Sequence, residues 1–114
     1  MDDLSGGDLR EAWRDLVGRR LPEAAGPRGW PVRFDHCFAR ILLDNALGRP
    51  WRELVPPPAW RNAPEADLAR ALALGEAALA GEADMHAMNA RSLDLRGKRG
   101  PRLARAIPGR RSKL

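Results

Sequence analysis

Leu9, Trp13, Leu16, Val17 and Leu21 fall three or four residues apart, with Leu16 and Val17 adjacent, and this spacing predicts an amphipathic helix over about residues 8–21. Two caps are available: Ser5 has Asp8 three residues on, and Asp8 has Glu11. The second is the better capping box, because the periodic apolar residues follow it at once. Arg19 and Arg20 suit the negative end of the helix dipole, and Pro22 is expected to stop the helix. Residues 22–32 contain three prolines and two glycines and read as a loop.

A second helix is predicted from Pro31–Arg33 to Leu47, with Gly48 as its C-cap and Pro50 beyond. Phe34, Phe38, Ile41, Leu42 and Asn45 share one stripe, with Cys37 beside it. This is the densest bulky-apolar stretch and is read as the central helix. His36, Arg40 and Asp44, spaced by four, form a second row read as a solvated face with an Arg40–Asp44 pair. Asn45, on the apolar stripe, needs buried partners, and it is expected to cap a loop at 22–32 or 48–60.

Further on, Trp51 to Val55 fits a single turn, and Pro56-Pro57-Pro58 fits an extended polyproline II segment that delivers Trp60. Asn62 and Pro64 open a third helix through Ala80, where Leu68, Leu72, Leu74 and Leu79 stand among alanines. A fourth helix, roughly 82–95, carries Met85, Met88, Ser92 and Leu95 on one face. No run alternates with period two, so no strand is expected, and there is no internal repeat. The predicted fold is all-α, a small compact bundle of about four helices with Pro/Trp-rich loops and a flexible basic C-terminal tail. Residues 1–95 form the helical domain, and residues 96–114 the tail.

Charge changes this picture. Of the 20 Lys and Arg, eight lie in residues 96–114, a segment without an acid; the other twelve face all fifteen acids in residues 1–95. The body is mildly acidic and the chain's net charge of +5 comes from its tail. With glycine, proline and little to bury, the tail is expected to be disordered when free. Pro101 to Ile107 would make two helical turns on a partner. Arg96, Lys98, Arg99, Arg102, Arg105, Arg110, Arg111 and Lys113 are the expected phosphate contacts, six of them the bidentate Arg.

One cysteine, Cys37, excludes an internal disulfide and suits a reducing cytoplasm. No apolar run approaches the roughly 20 residues that cross a bilayer, and the acidic N-terminus does not read as a secretory signal. The Ala, Arg, Gly and Pro bias fits a GC-rich bacterial genome. The terminal Ser112-Lys113-Leu114 matches a peroxisomal address, but within a basic tail it reads as coincidence.

Catalytic and metal chemistry find little support. His36 and Cys37 are neighbours on a helix and point about 100° apart, so a thiolate would need His86 as its base, and nothing in the sequence brings His86 there. His36, Cys37 and His86 lack metal-ligand spacing, so neither a metal nor a cofactor is expected. Trp30, Trp51 and Trp60 read either as stacking platforms for nucleobases or as pins for the Pro-rich loops; the core role is preferred for at least two of them. His36, Arg40, Trp51 and His86 are the residues that would define a cleft if they converged. The preferred function is an accessory cytoplasmic protein that binds nucleic acid without sequence preference through its basic arm. The alternatives are a protein–protein adaptor using the Trp/Pro loops or the Met85–Met88 face, and an enzyme working through Cys37.

Overall fold

The computed structural model describes residues 6–97, and their regular elements are all helical, with no strand among the described residues. Pro22 does not end the first helix. Instead α1 (Gly6–Asp15) runs through a π-helical turn (Leu16–Arg20) directly into α2 (Leu21–Arg28). A proline ring clashes with the carbonyl four residues back and has no N–H to offer. The wider turn removes that conflict: the Leu21 N–H reaches back five residues to the Leu16 carbonyl. It also corrects the register. In an α-helix Leu16 and Leu21 would lie about 140° apart, yet both are fully buried here. The helix ends only at Gly29, in the left-handed region, where the Gly29 N–H bonds to Gly26 O and the Trp30 N–H to Ala25 O. Most of the expected 22–32 loop is therefore helical, and α1 starts at Gly6, two residues before the expected Asp8 cap.

The central helix α3 (Asp35–Leu47) ends at Gly48 in the left-handed conformation, as its sequence implies. A 3₁₀ turn (Trp51–Glu53) and a single turn, α4 (Ala59–Asn62), follow, and the Pro57–Pro58 bond between them is cis where an all-trans polyproline run was expected. Next come α5 (Glu65–Leu79) and α6 (Met85–Leu95). Asn62 does not cap α5; its Nδ2 donates to Pro56 O at 3.0 Å and closes the proline loop. Asp84 caps α6, accepting from the His86 and Ala87 N–H groups, so this helix starts later than its periodicity suggested.

α3 packs on α5, α6 and the π turn, with Phe38, Ile41, Leu42 and Leu43 fully buried. Trp13, Leu16, Leu21, Leu68 and Met85 fill the space around it. Trp30, Trp51 and Trp60 are half-buried against this core, in keeping with the pinning role. Met85 and Met88 are buried too, so the methionine face of α6 looks inward. No helix among the described residues is long and apolar enough to cross a membrane.

Two contacts fix how α5 lies on the first helix. Gly75 is buried, and a Cβ there would stand 2.5 Å from Leu16 Cδ2 and 3.0 Å from Leu42 Cδ1, so the helices approach through a missing side chain. At the rim of the same contact Arg20 grips Glu76 with two 2.7 Å hydrogen bonds. Gly75→Ala gains roughly 1 kcal/mol of helix propensity but overpacks two fully buried leucines at about 1–3 kcal/mol. The expected net result is a loss of about 1 kcal/mol in urea unfolding; a stabilised variant would show that Leu16 and Leu42 yield. The hydrogen bonds from Arg20 hold the Glu76 carboxyl below its usual 4.5, so the pair stabilises the fold above that pH and ceases to do so as pH falls through the lower folded value. With both side chains more than a third exposed, Glu76→Gln should cost less than about 1 kcal/mol near neutrality. Repeating the urea titration near pH 3 should show that difference shrinking; a constant difference would assign the loss to packing.

Candidate functional site

Two features distinguish the described surface and interior: a buried polar cluster between α3 and α6, and a tryptophan-lined cleft on the other side of α3.

The cluster is centred on Asp44, which is 0% exposed. Its Oδ2 accepts from Ser92 Oγ at 2.6 Å and Arg96 Nε at 2.6 Å; its Oδ1 accepts from Arg96 Nη2 at 3.0 Å and the Trp51 backbone N–H at 2.8 Å. Arg40 spans the same interface, donating to Ser92 Oγ and Asn89 Oδ1, both at 2.8 Å. Asn45 Nδ2 donates to Met88 O at 2.9 Å and to Ile41 O in its own helix, so it binds α6 rather than capping a loop. The expected solvated Arg40–Asp44 pair is absent: Asp44 pairs with Arg96 and Arg40 with polar groups of α6. The reason is desolvation, since a fully buried carboxylate requires a guanidinium fork and its lone pairs filled. The hydrogen bonds that Arg96 donates to Asp44 raise its proton affinity, whereas burial lowers that of Arg40, with the nearby Arg96 cation adding to the effect.

Arg96 is thus the cap residue after α6, bound into the body. The other expected phosphate contacts, Lys98, Arg99, Arg102, Arg105, Arg110, Arg111 and Lys113, lie outside the described residues, as do Ser5, the predicted helical turns at 101–107 and the predicted disorder of the tail beyond Gly97.

The cleft encloses about 630 Å³. Trp13, Val17 and Leu43 lie in its apolar lining, where Trp13 belongs to the core. Trp51, Trp60, Arg14, Arg52, Asp35 and His36 give it shape and charge. Each wall is held from below. Trp51 hangs from Asp44 through its backbone N–H, and Trp60 is tied down by Arg10 of α1, which donates to Trp60 O and, at 3.2 Å, to Ala63 O. Guanidinium groups lie over the indoles: Arg14 at 4.6 Å and Arg61 at 5.3 Å from the Trp60 ring, and Arg52 at 5.1 Å from the Trp51 ring. Elsewhere Arg19, Arg20, Arg49, Arg70 and Arg96 pair with carboxylates. Arg14, Arg52 and Arg61 have no carboxylate partner among the described residues.

Of the four residues that would define a cleft if they converged, His36 and Trp51 share this one. Arg40 faces α6, and His86 sits at the start of α6 with Nε2 3.0 Å from Gly29 O. Cys37 is half-buried beside the apolar stripe. No group of three His, Cys, Asp or Glu side chains among the described residues is arranged to hold a metal. Sequence reasoning missed Arg14, Arg52 and Arg61. The signal was present: Trp13-Arg14, Trp51-Arg52 and Trp60-Arg61 are three copies of one dipeptide, and all three tryptophans line this cleft.

Asp44→Asn should cost about 3 kcal/mol, because it leaves the Arg96 charge without its counter-ion in a mostly buried site. Arg96→Ala removes the same pair, so the double variant should lose much less than the two single losses combined. Strictly additive losses in urea unfolding would show that the two side chains act independently. The chain matches no known protein-family model, no curated protein and no solved structure.

Proposed function

We propose that the protein binds nucleic acid without sequence preference, with the phosphate backbone held by its C-terminal cations and the helical body presenting them. The observation that supports this reading is the charge distribution: eight cations and no acid in residues 96–114, behind a body in which twelve cations meet fifteen acids. Phosphate neutralisation releases condensed counter-ions, and it is the partner chemistry that an acid-free, Arg-rich segment matches best. Arg96 is subtracted from this set because Asp44 already holds it. Its role is to fix the place where the basic segment begins, and seven cations remain from Lys98 to Lys113.

That subtraction dictates the truncation to make. Ending the chain at Leu95 would remove Arg96 and expose the fold to the loss of the Asp44 pair, whereas ending it at Gly97 keeps the pair and removes the seven remaining cations. The full chain should bind oligonucleotides with an affinity that falls steeply with salt, each engaged cation adding about 0.7–0.9 to the logarithmic slope. The chain ending at Gly97 should lose most of that slope and most of the affinity. Equal affinity of the two across a salt series would sink the reading.

A further inference from the structure

We propose that the cleft between Trp51 and Trp60 receives an unpaired nucleobase with its adjoining phosphate, so that the protein prefers single-stranded over duplex nucleic acid. This rests on the nucleic-acid reading above and extends it from the backbone to the base.

The lining has what such a ligand requires. A base is a flat, weakly polar ring system, and single strands bind proteins by stacking bases on aromatic or guanidinium planes beside a cationic track. Here guanidinium groups and indoles lie together: Arg14 and Arg61 lie over Trp60, and Arg52 lies over Trp51. The three arginines are exposed residues, within reach of a ligand that enters from solvent. Because no carboxylate pairs with them among the described residues, their charge is available to phosphate. The one acid in the lining, Asp35, is partly engaged, its Oδ1 accepting from the His36 N–H at 2.7 Å. Two arginines against that single carboxylate leave the lining cationic on a body that is otherwise slightly acidic. The volume of about 630 Å³ falls in the range of small-ligand sites. Duplex DNA is excluded by geometry, because its bases are stacked on each other and offer no free face to a concave site.

The experiment uses the full chain and labelled homopolymers of about twelve nucleotides, one of deoxythymidine, one of uridine and a DNA duplex of equal length, with binding followed by fluorescence anisotropy. The expected result is about tenfold tighter binding of the single strands than of the duplex. An Arg14→Gln/Arg52→Gln variant, altered only at exposed side chains, should lose about tenfold for single strands and little for the duplex. Trp60→Leu should do the same, with circular dichroism establishing that it remains folded. Equal affinities for the deoxythymidine and uridine strands would place recognition in ring and phosphate; a preference for either strand would place part of it at the 2′-hydroxyl or the 5-methyl group by which they differ, and each of these outcomes supports the proposal. Wild-type-like binding by the arginine variant, with binding still lost in the chain ending at Gly97, would overturn the cleft proposal and leave the arm reading standing. No binding of any strand by the full chain would remove both.

Discussion

A carboxylate with no access to water organises this small protein. Asp44 is fully buried, and leaving it unpaired there would cost several kcal/mol. Its four acceptor contacts therefore act as requirements on the rest of the chain. Ser92 of α6 and its cap residue Arg96 must come from one side of that helix, which fixes its rotation on α3. The backbone of Trp51 must return to within hydrogen-bond distance, which fixes the path after Gly48. Arg40 and Asn45, one turn back and one residue on, extend the same polar seam to Asn89 and the Met88 carbonyl. Apolar packing alone would tolerate small rotations of α6; a charged, directional cluster does not.

Much of the architecture was legible because it follows from local chemistry. The end of α3 at Gly48 and the centrality of the Phe38–Leu43 stretch follow from periodicity and stop signals. Two failures are instructive. Pro22 predicts a helix end because proline conflicts with an i−4 carbonyl, and a π turn evades that conflict. A polar row at i, i+4, i+8 that ends in an Arg–Asp pair predicts a solvated face for Asp44; its burial depends on Arg96, 52 residues away, a partner that no local pattern reveals.

The cleft was half legible. Proline-flanked tryptophans drew notice as individuals, and His36 and Trp51 do meet there. Its cationic character escaped because each arginine looked ordinary alone. Only the folded arrangement brings Arg14 from α1 onto Trp60, 46 residues away in sequence. Pairing also had to be known. An arginine count cannot separate the guanidinium groups bound to Glu76 or Asp44 from those left over aromatic rings.

The Trp51 N–H and Arg96 Nη2 share one oxygen, Asp44 Oδ1. One wall of the cleft and the root of the basic segment are thus pinned to the same atom. A strand held by the cations after Gly97 would meet the cleft as an intramolecular partner, at a local concentration that free diffusion would not supply. Under that arrangement neither contact needs to be strong by itself. Avidity would then depend on the Asp44 carboxylate, which holds both Trp51 and Arg96 in place.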